Sequence, residues 1–464
     1  MMNENGTAKR AVPFFFRFLH WSYAQGAFLS YFLNRRITPA GRVVLGLLLL
    51  SAILGVDISK SSLYQLFALS LAMVAVAFFW AWARRARFSA RREMPRHATV
   101  GQSCPYIVDV VNEGRLAVRG FVLADRPSDP RPSLRRFAFT EEPGEKERNL
   151  FDRTFVYYRW RWLLERRLFF RDGVAREPGV LLRGKRLRVR MSLVPQRRGV
   201  IRLADLRVRL PDPFGLFQRC RRVTTGGDSL VVLPKRYRLP TMNLPGEACS
   251  QLGGEAVSNT IGQSGEFLGL RDYRSGDALR HIHWKGWAKT ARPIVKEFED
   301  VYFPRYGLVL DNFVEHGDED LFEESVSVAA SFASAIDTKR SLLDLMFIKD
   351  EAIVVKAGRG EAKAEKLLEV LAAVEAEPDE HFEALERLVR RHRDQLTACI
   401  CVFTGWSADR ARFLRHVVSG GMESLALILC RDLEATERLL KADPVSCRYL
   451  LLEPPHVQEG LLKL

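Results

Sequence analysis

The sequence has few cysteines, and their positions argue against a cysteine-based metal or redox motif. Seven cysteines are scattered over 464 residues. None forms a C-x-x-C pair, and Cys399 and Cys401 lie in an apolar run that is typical of a buried strand. An odd number of irregularly spaced cysteines also does not fit the disulfide framework of a small secreted domain. We therefore expect reduced core thiols in a cytosolic protein.

Acidic residues are in the minority. The chain has 55 Asp and Glu against 71 Lys and Arg, a formal net charge of +16. The basic excess lies mainly between Arg84 and Pro240, and such a region is attracted to anionic lipid or to nucleic acid. No recognition helix, stacking motif or zinc finger accompanies the charge, so membrane lipid is the expected partner and nucleic acid is not.

Two long apolar runs, over about 43–58 and 63–82, predict a transmembrane helical hairpin within residues 41–84. The second run has about 20 residues, which is enough to cross the hydrocarbon layer of a bilayer. Whether the first, shorter run spans fully stays open. The preceding segment, residues 1–40, is rich in aromatic residues interrupted by polar ones, which predicts an amphipathic helix lying in the membrane interface.

The basic residues on either side of the two runs predict the orientation of the hairpin. Arg35, Arg36 and Arg42 precede it, five arginines between residues 84 and 92 follow it, and the connecting turn contributes only Lys60. By the positive-inside rule, both termini and the soluble domains lie in the cytoplasm of a multi-pass protein of the inner membrane.

Short alternating runs over residues 91–240 predict an antiparallel β-sandwich. An insertion near residues 130–190 breaks the pattern, and its fold is not evident from the sequence. The stretch "DPFGLF" from Asp212 to Phe217 is typical of a tight turn, because Gly215 can adopt positive φ. We expect Phe214 and Phe217 to anchor this turn in the core.

Strands alternate with helices over residues 301–464, which predicts an α/β domain with a largely parallel sheet. Sites in such folds lie at the carboxyl ends of the strands. In this domain those ends include Asp311 and Thr404.

Between the two domains, residues 241–300 hold a stretch dense in chemistry, "LRDYRSGDALRHIHWKGWAKT". Its candidate site residues, for docking of a partner or of a neighbouring domain, are Arg271, Tyr273, Arg274, Gly276, Asp277, Arg280, Trp284 and Lys285.

Three chemical interpretations of this stretch are weak. A phosphate-binding loop needs several glycines before a helix, and only Gly276 is present there. His281 and His283 are two apart, so one helix would direct them about 200° apart rather than at one metal ion. Asp277 and His281 are four apart and could form an acid–base pair, but no nucleophile accompanies them.

A structural interpretation accounts for more of the residues. Asp277 or Ser275 can cap a short helix that begins near residue 278, and Leu279 and Ile282 can anchor it on a core. Arginines beside Asp272 and Asp277 favour bidentate pairing, which holds two segments in register. The stretch would then be a joint between the sandwich and the α/β domain.

A binding role is compatible with that joint. Trp284 and Trp287 form a second apolar patch, and either could be a buried anchor for an acidic partner. Arg271, Arg274, Lys285 and Lys289 face solvent in that case, or else all the charges form internal ion pairs. The sequence leaves both possibilities open.

Taken together, these motifs resemble the "domain of unknown function 58" family. The hallmark is Arg-x-Tyr-x-x-Gly-Asp followed by Arg, Ile and Trp-Lys. In this chain it comprises Arg271, Tyr273, Gly276, Asp277, Arg280, Ile282, Trp284 and Lys285. The hairpin, the sandwich and "DPFGLF" also fit, so the resemblance covers about residues 40–460.

The resemblance implies an immunoglobulin-like sandwich followed by a von Willebrand factor A-like α/β domain. True von Willebrand A domains hold Mg²⁺ through a D-x-S-x-S loop with a later Thr and Asp. Here Asp311 is followed by neither serine, and "TGW" (Thr404–Trp406) has no carboxylate where the family places an Asp. With Glu315 as the only other acidic group of the loop, we expect a degenerate site without a metal or other cofactor.

The resemblance also implies association with a AAA+ ATPase of the MoxR type and no catalytic activity. We therefore expect a membrane-anchored scaffold or adaptor in protein assembly or maturation. The alternative is a membrane-bound hydrolase or transferase that uses Asp277 and His281. The client protein and the oligomeric state are not evident from the sequence.

Overall fold

The structure, a computed structural model, divides the chain into two compact units. One comprises Met1–Lys235 with Glu369–Ala373, and the other comprises Arg236–Leu368 with Val374–Leu464. The residues described are 12–54, 61–83, 86–127, 129–240, 266–277, 279–299, 304–314, 318–336, 341–349, 351–357, 361–377, 382–454 and 456–464.

Three helices precede the first strand: α1 (Phe14–Arg36), α2 (Pro39–Leu54) and α3 (Ser61–Ala83). The 16 residues of α2 rise about 24 Å, which is less than the roughly 30 Å of a hydrocarbon layer. The longer α3 has Ser62, Gln65 and Ser70 in its first three turns. No helix in the described ranges is both long and apolar enough to cross a membrane. The predicted transmembrane hairpin was therefore wrong, and so was the multi-pass inner-membrane localisation that depended on it.

The start of α2 packs against the "DPFGLF" turn. The Thr38 hydroxyl donates to the carbonyl oxygens of Gly215 at 2.6 Å and Leu216 at 3.1 Å. The Thr38 backbone N–H also donates to the Leu216 carbonyl, at 3.0 Å. Ile37 and Phe217 form an isolated antiparallel bridge. The apolar helix α2 is thus tied to a turn of the sandwich at its first residues.

The turn itself forms as predicted, but its phenylalanines do not anchor it. Gly215 has φ 70°, and its N–H donates to the Asp212 carbonyl at 3.1 Å. Phe214 is 47% exposed, Phe217 is half-buried and Leu216 is buried. The prediction of two phenylalanine anchors was wrong, because the turn directs Leu216 inward.

The sandwich predicted from the alternating runs is present as three sheets. Their strand orders are β1-β3-β7-β5, β10-β9-β4-β6 and β2-β11-β8. The sheets surround one apolar core that includes Val108, Val110, Phe121 and Leu123. The strands are β1 (Phe88–Glu93), β2 (His97–Thr99), β3 (Cys104–Asn112), β4 (Val118–Asp125), β5 (Phe170–Asp172), β6 (Val174–Leu181), β7 (Arg186–Pro195), β8 (Gly199–Leu203), β9 (Leu206–Pro211), β10 (Gln218–Arg222) and β11 (Asp228–Leu233).

The first part of the insertion is helical, and its remainder forms β5, β6 and the start of β7. It contains α4 (Leu134–Phe139), α5 (Leu150–Phe155) and α6 (Tyr157–Arg167). Leu19 of α1 packs in a small separate core with Phe137, Val156, Trp160 and Leu163. One face of the aromatic N-terminal helix is therefore covered by the insertion.

In the second unit, a six-stranded sheet has the order β16-β15-β14-β17-β18-β19. All neighbouring pairs are parallel except β15 with β16. The strands are β14 (Arg305–Leu310), β15 (Leu342–Lys349), β16 (Glu351–Ala357), β17 (Ala398–Thr404), β18 (Glu423–Leu429) and β19 (Arg448–Leu452). The predicted alternation of strands and helices is present here.

The helices that lie wholly in the sheet unit are α8 (Glu319–Ala335), α10 (Phe382–His392), α11 (Ala408–Ser419), α12 (Leu433–Ala442) and α13 (Val457–Leu461). The helix α9 (Glu361–Ala373) begins in this unit, and its residues from Glu369 on belong to the first unit. Phe382, Phe403 and Phe413 pack together in the core of the sheet unit. A separate hairpin of β12 (Glu266–Asp272) and β13 (Ile294–Glu299) precedes the sheet, with α7 (Trp284–Thr290) in its connection.

Candidate functional site

The motif stretch forms the connection of the β12–β13 hairpin and folds back onto it. The Tyr273 N–H donates to the Pro293 carbonyl at 2.9 Å, and the His283 N–H donates to the Ile294 carbonyl at 2.8 Å. Ile282 forms an antiparallel bridge with Val295. The connection is thus hydrogen-bonded at several points to the strand that follows it, and we call residues 266–299 the hairpin module.

Asp277 closes the first turn of the module by pairing with Arg271. The two guanidinium nitrogens donate to separate carboxylate oxygens at 2.7 and 2.8 Å, and the Arg274 N–H donates to one of them at 2.8 Å. These bonds lower the pKa of the Asp277 carboxyl to about 2, with the Arg271 side-chain bond as the largest cause. Gly276 has φ 108°, which favours glycine at that position. The predicted bidentate pairing is confirmed.

A histidine caps the helix, not Asp277 as expected. The helix α7 begins at Trp284, and the Nδ1 atom of His283 accepts from the Gly286 N–H at 3.1 Å. The carboxylate of Asp277 already accepts from Arg271 and from the Arg274 backbone. A short 3-10 helix over Leu279–His281 begins one residue from the predicted start near residue 278, so that prediction is confirmed, and α7 follows it at Trp284.

The two apolar pairs of the motif differ in exposure. Ile282 is buried at 6% exposure, so its predicted anchoring is confirmed, whereas Leu279 is 68% exposed and its predicted anchoring was wrong. Trp284 and Trp287 are 63% and 36% exposed. Their rings stack with centroids 5.4 Å apart and planes 18° apart. The tryptophans form the predicted patch, and that patch faces outward.

Four basic side chains that are near the stacked tryptophans in the sequence are exposed to solvent. They are Arg274, Arg280, Lys285 and Lys289. Arg271 is half-buried in its pair with Asp277. The charges therefore divide: Arg271 holds the turn internally, and the other four basic groups of the stretch face solvent.

The two motif histidines have separate surroundings. Nδ1 of His283 serves as the helix cap, and Nε2 of His281 lies 3.3 Å from Nε of Arg280 as an acceptor. No group of three His, Cys, Asp or Glu side chains with the geometry of a metal site occurs in the described parts of the chain.

At the carboxyl edge of the parallel strands, Asp311 is fully buried against an arginine that the sequence analysis did not select. Nε of Arg410 donates to Oδ2 of Asp311 at 2.7 Å, and Nη2 donates to the Phe313 carbonyl at 3.1 Å. The N–H groups of Phe313 and Thr404 donate to Asp311 at 3.0 and 3.2 Å. Glu315, the remaining acidic candidate, lies outside the described residues.

Arg410 thus supplies a positive charge at the carboxylate oxygen that a cation would need as a ligand. Burial raises the pKa of the Asp311 carboxyl, and the Arg410 pair and two backbone hydrogen bonds act against that rise. The Thr404 hydroxyl donates to the Asp311 carbonyl oxygen at 3.2 Å. In the sequence, Arg410 could have been identified by its position in "SADRARF", just after the strand that ends at Thr404.

Comparisons with known proteins give one weak relative. No family model matches the chain. An uncharacterized protein of Bacillus subtilis (strain 168), YeaD, is 27% identical over 278 residues, which cover 58% of this chain and 66% of that protein. The chain thus spans just under two thirds of the length of this relative. The name of this relative describes no function.

The solved structures that match are too dissimilar to support an argument. A cohesin module of a Clostridium perfringens family 33 glycoside hydrolase is 9% identical with a TM-score of 0.17, over 32% of this chain and 98% of that one. The CARDB domain of PF1109 from Pyrococcus furiosus is 9% identical with a TM-score of 0.15, over 30% and 94%. Neither contributes to the function proposed below.

Proposed function

We propose that this chain is an adaptor that binds an acidic partner protein through the hairpin module. The observation that carries the proposal is the stacked pair Trp284 and Trp287, which is exposed on a short helix. Tryptophan and arginine are the side chains most often found as energetic anchors of protein interfaces. A large aromatic surface facing solvent is costly unless it is covered in use.

The charges around the patch indicate the chemistry of the partner. Arg274, Arg280, Lys285 and Lys289 are exposed near the tryptophans in the chain. Exposed basic groups in the same stretch as exposed tryptophans fit an acidic partner surface, since opposite charge accelerates encounter and excludes basic competitors. The family resemblance of the motif favours a AAA+ ATPase of the MoxR type as that partner, acting in protein assembly or maturation.

The module is prepared for such binding by its internal contacts. The Arg271–Asp277 pair and the Ile282–Val295 bridge hold the connection on the hairpin. A preorganised surface loses less conformational entropy on binding than a flexible one. The same pair argues against the hydrolase or transferase alternative, because a carboxyl with its pKa lowered to about 2 is a weak general base near neutral pH.

The proposal is tested by measuring binding of the chain to a purified MoxR-type ATPase. We expect Trp284→Ala to weaken binding by about 10-fold or more, the usual loss at an anchor residue. The separate variant Arg280→Ala should also weaken binding. Trp284 is largely exposed, so the thermal unfolding midpoint should stay close to that of the unaltered chain.

Leu439→Ala is the matched control. Leu439 is an exposed apolar residue of α12, in the same unit but outside the hairpin module. We expect this variant to bind as the unaltered chain does. Unchanged binding of the folded Trp284→Ala and Arg280→Ala variants, or equal loss in the Leu439→Ala control, would contradict the proposed role of the module.

A further inference from the structure

The sandwich contains a polar cavity that none of the motifs above explains. It has a volume of about 290 Å³ and is lined by Ala204, Arg222, Val223, Thr224 and Thr225. These residues come from the β8–β9 connection, the end of β10 and the segment that leads to β11. The cavity lies wholly within the first unit, so it is independent of the hairpin module and of the function proposed for it.

Positive charge is concentrated beside this cavity. Three arginines approach the single carboxylate of Asp205: Nε of Arg207 at 2.9 Å, Nη1 of Arg126 at 3.4 Å and Nε of Arg222 at 3.8 Å. Burial raises the pKa of the Asp205 carboxyl, but hydrogen bonding to Arg207 and the charges of all three arginines lower it overall. The ionised carboxylate balances only one of three guanidinium charges, so the local potential is positive.

The cavity wall also offers neutral hydrogen-bond donors. Thr224 and Thr225 contribute hydroxyl groups at the wall, and Gly226 and Gly227 follow them in the chain. Within the described ranges, the N–H groups of Thr225, Gly226 and Gly227 donate to no protein acceptor. The space beside both glycines is open.

The guanidinium of Arg222 is oriented at this wall. Its Nη2 donates to the Ala204 carbonyl at 3.2 Å, and its side chain is mostly exposed. A guanidinium held at one edge keeps its other N–H groups available for a second acceptor. The planar fork of arginine matches the oxygens of phosphate particularly well.

We propose that this cavity binds a small molecule through a phosphate group. A phosphate has enough oxygen acceptors to engage the guanidinium of Arg222 and the hydroxyls of Thr224 and Thr225 together. Its charge is also drawn to the excess of arginine around Asp205. The cavity volume lies at the lower end of the range for ligand pockets, so the ligand is a phosphate monoester with a small organic group.

The binding is tested by isothermal titration calorimetry of the full chain with inorganic phosphate and with glycerol phosphate, at constant ionic strength. We expect saturable binding of both, tighter for the ester, whose organic group fills more of the cavity. Arg222→Ala should weaken binding by about 10-fold or more, as expected for loss of a hydrogen bond to a charged group. Thr224→Val with Thr225→Val keeps the charge and should also weaken binding.

Arg119→Ala is the matched control. Arg119 is an exposed arginine of β4 in the same sandwich and does not line the cavity. The Arg119→Ala substitution removes one positive charge from the unit, as Arg222→Ala does. Because Arg119 does not line the cavity, the affinity for phosphate should stay unchanged. Equal losses in Arg119→Ala and Arg222→Ala would show nonspecific charge attraction and overturn the site, as would non-saturable binding by the unaltered chain.

Discussion

At the scale of single residues, Arg410 has the clearest effect on what the α/β unit can do. Its guanidinium is buried against the carboxylate of Asp311, at the strand edge where sites of α/β folds are found. Two charges removed from water are tolerated there because each has a close partner and additional hydrogen bonds. The guanidinium of Arg410 therefore occupies the place beside Asp311 at the carboxyl edge of the parallel sheet.

We expect Arg410→Ala to destabilise the chain by about 3–5 kcal/mol, because it leaves a buried carboxylate without its opposite charge. Urea unfolding followed by circular dichroism measures the change. The comparison is Arg412→Ala in the same helix, whose exposed side chain pairs with Asp409 at 3.1 Å and should cost less than about 1 kcal/mol. Equal losses of unfolding free energy in the two variants would show that the buried pair stabilises the chain no more than the exposed pair does.

A second residue-scale effect is the distribution of roles in the motif. Arg271 and Asp277 are occupied with each other, and His283 is occupied with the Gly286 N–H. The residues with the most conspicuous chemistry thus hold the module together. The tryptophans and the other basic side chains of the motif are exposed to solvent.

At the scale of elements, the first helices are placed by short contacts at their ends. Gly41 of α2 lies so close to the Leu216 carbonyl that an added Cβ would be 2.1 Å from its oxygen. Gly46, one and a half turns later, has open space. The helix approaches the turn only because position 41 has no side chain.

This pair of glycines gives a matched experiment. We expect Gly41→Ala to destabilise the chain by about 1–3 kcal/mol through steric overlap with the turn. Gly46→Ala should be neutral or should stabilise by up to about 1 kcal/mol, because alanine favours a helix. Thermal unfolding of both variants measures the difference, and the same sign for both would mean that α2 does not pack on the turn.

At the scale of the whole molecule, the chain consists of units with separate apolar cores. The sandwich core involves residues 88–232, and the core of the parallel sheet involves residues 309–451. A unit with a complete sheet and its own core can in principle fold alone. The hairpin module belongs to the same unit as the parallel sheet.

We therefore expect a fragment of residues 236–464 to fold when expressed alone. Its unfolding in urea should be a single cooperative transition, with the near-ultraviolet circular dichroism of a packed core. A gradual transition without a near-ultraviolet signal would contradict this. If the fragment folds, the partner-binding test of the hairpin module can be repeated without the sandwich.

The sequence by itself determined the features that depend on local pattern. Alternating residues predicted the sandwich, and the alternation of strands and helices predicted the parallel sheet. The arginines next to the aspartates of the motif suggested bidentate pairing, which the structure forms between Arg271 and Asp277. These features are accessible because side-chain periodicity is set by the geometry of each strand, helix or turn.

Only the tertiary structure decided which of these groups face solvent and which distant groups meet. Arg410 pairs with Asp311 across 99 positions, and the cavity beside Arg222 combines residues from separate connections. The apolar runs of α2 and α3 indicated helices correctly but a transmembrane hairpin wrongly. The composition of a segment shows how apolar that segment is. What surrounds the segment depends on packing between parts of the chain that are distant in sequence.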